Sequence, residues 1–216
     1  MKKRSVFFLC LFIFSLLLCI SAFPQDQTTE LKNPVLFRKK LADATLLTNT
    51  IESKFNQEKN LSVLSEKILA KGKFYFKKNN MLRWEYTDPF KYLIILNNGK
   101  ILIRDEEKEN QFDARSNKVF AEINSILLGC AQGTLLNDEK KFRSSYFESS
   151  NKYLVRMKPE DPQLKDIFSE ICIYFDKNDY SVSRLIMNEA CGDYTTINFS
   201  AKKLNAPIPD EKFRVQ

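Results

Sequence analysis

Short runs of apolar residues, separated by clusters of Lys, Asn, Asp and Gly, dominate this chain. The plainest case is 72–104, GKFYFKKNNMLRWEYTDPFKYLIILNNGKILIR, which also holds the single Trp. Lys73 to Phe76 reads as one strand, and Lys77-Lys78-Asn79-Asn80 as a turn. Met81 to Tyr86 reads as the next strand, broken by Asp88-Pro89 because proline cannot donate to a ladder. Tyr92–Leu96 and Lys100–Arg104 flank Asn98-Gly99, the dipeptide that favours the positive φ angles of a tight hairpin turn. A second turn covers the charged stretch Asp105 to Asn110.

On either side the pattern is mixed. Val35, Leu36, Leu41, Ala42, Leu46 and Leu47 are spaced as in a helix over 34–48, with Asn33 able to cap and Pro34 suited to the first turn. A strand starts near Ile51 and includes Phe55. Residues 61–71 fit neither period cleanly, and the second half favours a strand running toward Gly72. The stretch 117–129 has a helical stripe of Val119, Phe120, Ile123, Ile126, Leu127 and Leu128, with Gly129 as the stop. Strands follow at Phe142–Glu148, Tyr153–Lys158, Ile167–Phe175, Val182–Glu189 and Tyr194–Ala201, and the tail from Pro207 to Val215 offers Phe213 and Val215 to a last edge segment. The expectation is mainly β with α: about ten antiparallel strands with one apolar face, and two helices.

Charge changes the picture at the N-terminus. Lys2, Lys3 and Arg4 precede an apolar run from Val6 to Ile20, and Ser21-Ala22 supply a small-residue exit. A basic start and an apolar run of about 15 residues describe a secretory signal peptide, shorter than the ~20 residues of a membrane span. The expected division is a signal peptide at 1–22, a linker at 23–33 and one domain at 34–216. Cys19 opens an alternative, lipid attachment after cleavage before it, although Leu16-Leu17-Leu18 puts a large residue where a small one is wanted. Without 1–22 the chain has 31 basic and 27 acidic residues, net +4, in interleaved clusters that read as solvated surface. Nucleic acid is not an expected partner. Cys130, Cys172 and Cys191 remain, so at most one internal disulfide can form and one thiol is left over. Cys172, in IFSEICIYF, reads as a buried thiol.

Catalytic chemistry has little to stand on. The chain has no histidine, which removes Ser-His-Asp and Cys-His sites and His-ligated metals. It has five glycines and no phosphate-cradling loop. Asp105-Glu106-Glu107 lies in a charged turn. The expectation is a binding protein rather than an enzyme, with no metal and no cofactor.

The run Gly72-Lys-Phe-Tyr-Phe-Lys-Lys, then Leu82-Arg-Trp-Glu-Tyr, Asp88-Pro89 and Asn98-Gly99-Lys100 resembles the periplasmic outer-membrane lipoprotein carrier family (LolA-like). Phe55-Asn56-Gln57 is similar to that family's early F-x-Q strand. The resemblance implies a half-open antiparallel β-barrel covered by helices, whose apolar cavity holds acyl chains of lipoproteins crossing the periplasm. It implies acylated lipoproteins as cargo, an inner-membrane lipoprotein-releasing transporter and an outer-membrane acceptor as partners, and a monomeric carrier. The alternative is a membrane-anchored acceptor or another envelope lipid-binding module of the same fold, which lipidation at Cys19 would favour. The family often has arginine followed by proline after its glycine strand, where this chain has Lys78 and Asn79. Lys78 is therefore the candidate for lid gating, although lysine lacks the planar fork of donors. Phe74, Phe76, Trp84, Phe120, Ile123 and Leu127 are candidates for cavity or barrel wall, the last three on a stripe that is either core packing or cover. Arg83 and Trp84 match the family's motif and read as structural.

Overall fold

Alternating buried and exposed side chains build one antiparallel sheet of twelve strands among the described residues. The structure is a computed structural model that describes residues 28–215 apart from 65, 114–125, 127, 130, 131, 135 and 137–139. The expected signal peptide, with Cys10 and Cys19, and Phe120, Ile123, Leu127 and Cys130 lie outside the described residues.

The first half of the chain supplies a meander: β2 (Thr50–Asn60), β3 (Lys67–Lys77), β4 (Met81–Asp88), β5 (Tyr92–Asn97), β6 (Lys100–Arg104) and β7 (Glu109–Asp113). The second supplies another: β8 (Phe142–Glu148), β9 (Lys152–Pro159), β10 (Phe168–Asp176), β11 (Val182–Glu189) and β12 (Tyr194–Leu204). β12 pairs with β2 and joins the two. A two-residue strand, β1 (Thr29–Glu30), pairs with β8 at the far edge. The order is β1-β8-β9-β10-β11-β12-β2-β3-β4-β5-β6-β7, so the sheet is not closed and β1 and β7 are its edges.

The expected barrel of about ten strands is thus corrected to an open sheet of twelve. Two strands escape a reading of hydrophobic pattern. β1 is polar, and it extends the fold into the expected linker, with the Leu31 N–H donating to the Tyr146 carbonyl at 2.9 Å. β7 carries one apolar residue, Phe112, and begins inside the expected charged turn. The strand expected in the second half of 61–71 is present and runs unbroken through Gly72 into the one expected from Lys73, as residues 67–77.

Helix α1 (Pro34–Leu47) starts where expected. The Leu36 N–H donates to Asn33 Oδ1 at 2.9 Å, and Pro34 occupies the first turn, where no amide is missed. The buried stripe is Phe37 and Leu41, four apart, while Val35, Leu36, Leu46 and Leu47 stay exposed. Phe37 anchors the helix to the sheet, with ring centroids 4.7 Å from Tyr153 and 5.7 Å from Phe175. A short helix, α2 (Pro162–Lys165), links β9 to β10 behind an Asp161 cap. In the expected second helix, Ile126, Leu128 and Gly129 are helical. Gln132 is helical too, and Gly133 takes the left-handed φ of 67° that suits a helix stop.

Two cores form, one on each face. The concave core is rich in aromatics and lies under α1. The outer core covers Tyr75, Leu93, Ile95 and Leu102 with Ile208 and Phe213 from the C-terminal tail. Phe213 and Val215 were expected at a sheet edge and instead pack on the outer face. A 3-10 turn at Asp210–Phe213 points Phe213 inward. Asn97 Nδ2 fixes it by donating to the Phe213 carbonyl at 3.0 Å, and the Arg83 guanidinium donates to the Lys212 carbonyl at 3.2 Å.

Gly72 is required by close approach. It lies opposite Phe55 on β2 and Tyr86 on β4, and a Cβ there would sit 2.1 Å from the Glu85 carbonyl oxygen and 2.5 Å from Phe55 Cζ. The Phe55 ring fills that space and reaches Trp84, 4.4 Å away between centroids. Gly72→Ala must displace backbone and ring together. It is expected to lower stability by about 3 kcal/mol, read as a lower urea midpoint with unchanged slope. A midpoint equal to wild type would show that the ring is not held by this contact.

Candidate functional site

The concave face carries an apolar cavity where the two meanders meet. Its floor is Phe74 on β3, Trp84 on β4, Leu185 on β11 and Phe199 on β12, with Ile51 and Ser53 on β2. Ala44, Thr45 and Thr48, from the end of α1, form the roof, and Tyr180 with Val182 closes one side. The floor is a continuous aromatic cluster. Phe74 is 5.4 Å from Trp84 and 5.7 Å from Phe199, and Trp84 is 6.0 Å from Phe199. These are tilted or edge-on contacts that favour ring pairs. The enclosed space is about 50 Å³, against roughly 300–1,000 Å³ for a typical small-molecule site. The cavity is therefore largely filled by its own side chains.

The polar groups stand out against this lining. The Ser53 hydroxyl is buried and has no hydrogen-bond partner among the described residues. Lys202 reaches the same cavity with a side chain only 15% exposed. Burial pushes its ammonium below the ordinary lysine range, and the Asp179 carboxylate opposes that shift. Next to the floor, Tyr86 donates its hydroxyl to Gln57 Oε1 at 2.9 Å, and burial holds its phenol above the ordinary range.

The roof is tied down at the β3–β4 turn. Asn79 and Asn80 both take positive φ, 71° and 59°, which asparagine tolerates. The turn directs Lys78 back to α1, where its ammonium donates to the Leu46 carbonyl in the last helical turn. The cation also meets the negative end of the helix dipole. Its backbone N–H donates to the Asn49 carbonyl at 2.9 Å. Gln132 Nε2 donates to Asn80 Oδ1 at 2.8 Å, so the second helical segment is held by the same turn. A Cβ on Gly133 would lie 2.9 Å from Thr45 Cγ2, which places that segment against α1.

Of the residues named from sequence, Phe74 and Trp84 line the cavity, and Lys78 joins the roof to the sheet. Phe76 is buried in the concave core but is not in the lining. Phe120, Ile123 and Leu127 fall outside the described residues. Sequence reasoning missed Ser53, Tyr180, Phe199 as a floor residue, and Lys202. Strand alternation from Phe55 would have pointed to Ser53. Nothing local marks Lys202, which stands in a Lys-Lys pair that reads as surface.

One group outside the cavity has metal-ligand chemistry. Donor atoms of Glu189, Cys191 and Asp193 lie within 4.8 Å of one another at the β11–β12 turn. Both carboxylates are already engaged there: Glu189 pairs with Lys59 at 3.3 Å, and Asp193 accepts the Ser62 N–H at 2.7 Å.

The family described as "Outer membrane lipoprotein carrier protein LolA" matches residues 47–216. The chain belongs to this family. Its solved structural neighbours include a LolA superfamily protein from Nitrosomonas europaea, 10% identical, with a TM-score of 0.44 and coverage of 82% of this chain and 97% of that one. A putative outer membrane lipoprotein-sorting protein domain from Vibrio parahaemolyticus is 11% identical, with a TM-score of 0.43 and coverage of 82% and 93%. The lipoprotein LppX of Mycobacterium tuberculosis is 12% identical, with a TM-score of 0.44 and coverage of 81% and 96%. A search of curated proteins finds no significant match.

The cysteines separate clearly in this LolA-family fold. Cys172 is buried on β10, as its apolar run predicts, and Cys191 is exposed; neither is in a disulfide. Burial, with the Glu170 carboxylate 3.3 Å away, pushes the Cys172 thiol up to about 12. At pH 8 its thiolate is then on the order of one in ten thousand. Iodoacetamide at pH 8 is expected to alkylate Cys191 in the native protein and Cys172 only after unfolding, as mapped by peptide mass spectrometry. Equal labelling of both in the native state would contradict that burial.

Proposed function

We propose that this LolA-family chain is a periplasmic carrier that shields the acyl chains of lipoproteins and moves them from the inner to the outer membrane. The observation that carries the reading is an aromatic cavity roofed by a helix whose C-terminal end, over the cavity, is held by polar bonds from Lys78 and Asn205. Its role is binding rather than catalysis. The partners are acylated lipoproteins, an inner-membrane transporter that releases them and an outer-membrane acceptor.

Physical chemistry sets the requirements. Exposing acyl chain to water costs about 0.8 kcal/mol per methylene, so three long chains face a cost on the order of 30 kcal/mol. A space of about 50 Å³ holds none of them, so α1 must lift away from Phe74, Trp84 and Phe199 as chains enter. Ring and methylene surface then replaces the contacts that the roof gives up. The test is to purify the protein from its own envelope and analyse the bound material, then to add the free protein to inner-membrane vesicles. Retained acylated lipoprotein and its release from the vesicles support the reading. Neither retention nor release would overturn it.

Lys78 is the gate in this scheme. Lys78→Leu removes a charge-assisted bond to the Leu46 carbonyl, at an expected loss of about 1 kcal/mol. Amide exchange in the last turn of α1 should quicken about fivefold, and a bound acyl probe should leave faster by a similar factor. Unchanged exchange and release would show that the roof is held elsewhere.

A further inference from the structure

We infer that the polar end of the cavity recognises an anion through Lys202 and Ser53, so that it takes acyl chains ending in an anionic headgroup in addition to those of lipoproteins. The starting point is a break in β12. Thr195 and Ile197 are buried and Phe199 lines the cavity, so regular alternation would turn Ala201 and Lys203 inward and Lys202 outward. The ladder to β2 is interrupted instead. Ser200 pairs with Lys54 and Lys203 with Glu52, leaving Ala201 and Lys202 together opposite Ser53. Two residues against one is a β-bulge, and Ala201 adopts a left-handed φ of 50° to make it. The bulge shifts the side-chain phase by one residue. Lys202 and Leu204 now line the apolar cavity, while Ala201 and Lys203 are exposed.

The groups around Lys202, among them the cavity-lining Asp179 and Ser181, leave part of its donor capacity unused. Its ammonium donates to Ser181 Oγ and lies 3.8 Å from Asp179. Asp179 Oδ1 is already occupied by the Ser181 N–H at 2.8 Å and the Ser181 hydroxyl at 2.6 Å. Asp176 is held by Lys152 at 2.8 Å. An ammonium has three donors, so Lys202 retains capacity. Ser53, directly across the bulge, is 3% exposed and its hydroxyl has no partner among the described residues. A buried hydroxyl without a partner is unfavourable unless something fills the gap. A carboxylate or phosphate oxygen at the rim would accept from both Ser53 and Lys202, with its chain running over Phe74 and Phe199. The adjacent turn has the same character, since Tyr180, a cavity residue, also takes a left-handed φ of 58°. Non-glycine residues held in this region cluster at functional sites.

This inference rests on acyl chains entering the cavity as proposed above. The test measures binding of palmitate, hexadecyl phosphate and the uncharged palmitamide to the purified protein by tryptophan quenching, using the single Trp84 on the floor. The expected result is at least tenfold tighter binding of one or both anions than of palmitamide. Lys202→Met should erase that preference while palmitamide still binds, which shows that the variant is folded. Ser53→Ala should weaken the preference, and Lys203→Met, on the exposed neighbour, should leave it intact. Equal binding of all three ligands to the wild type, or a preference that survives Lys202→Met, overturns the anion site alone. Failure of every ligand to bind overturns the carrier reading with it.

Discussion

The antiparallel pairing of β2 with β12 holds the molecule together, because among the described residues it is the only ladder between the two meanders. It brings together residues more than a hundred positions apart, so its register must come from side chains rather than from a turn. Phe55 opposite Phe199 and Phe55 opposite Gly72 supply that register. The Phe55 ring can cross β3 and meet Trp84 only where β3 has no Cβ. A slip of one residue in β2 would turn Phe55 to solvent, set a lysine or asparagine against Trp84, and abolish the cavity floor.

The same pairing accounts for the difference between the wall of the cavity and its rim. Along 54–60 the β2–β12 ladder is regular. At Ser53 it bulges, and there the floor stops being wholly apolar. The bulge within β12 and the left-handed Tyr180 ahead of β11 both border the cavity, so two backbone irregularities lie where a hydroxyl and an ammonium enter an aromatic pocket. Regular strands could not do this, since alternation would give Lys202 to solvent. The irregularity is the means by which a polar pair reaches an apolar face.

Much of the fold was legible in the sequence wherever the determinants are local. Asn33-Pro34 marks the start of α1, Asn98-Gly99 marks the β5–β6 hairpin, and the 72–104 run marks β3 to β6 and the family. The ambiguity at 61–71 has a physical source: Val63, Leu64, Ile68 and Leu69 are apolar yet exposed, so they obey no burial period. β1 and β7 were illegible because edge strands are specified by their partners' free backbone groups more than by their own side chains. The outer position of Phe213 depends on a surface assembled by β3, β5 and β6, which no local pattern reveals. In the site, Phe74, Trp84 and Lys78 were readable because strand and turn place them directly. Lys202 was not, because a bulge inverts the phase on which such a reading depends.

On the proposed reading, a carrier must hold its cargo firmly and still release it, and the tightness of the resting cavity bears on both. A wide empty pocket would either fill with water or leave ring surface without contacts. Here Phe74, Phe199, Tyr180 and the threonines of α1 occupy most of the volume of this cavity. Entering methylenes then compete with the protein's own contacts, which lowers the net gain per chain below the full transfer value. The binding is weakened by just the amount that the roof regains when it closes. The β3–β4 turn couples the two covers, through Lys78 on α1 and Asn80 on the second segment, while Phe37 and the Asn205 bond to the Leu47 carbonyl hold α1 from other elements. Loosening that turn then removes one tie of the roof without disturbing the β2–β12 ladder beneath it.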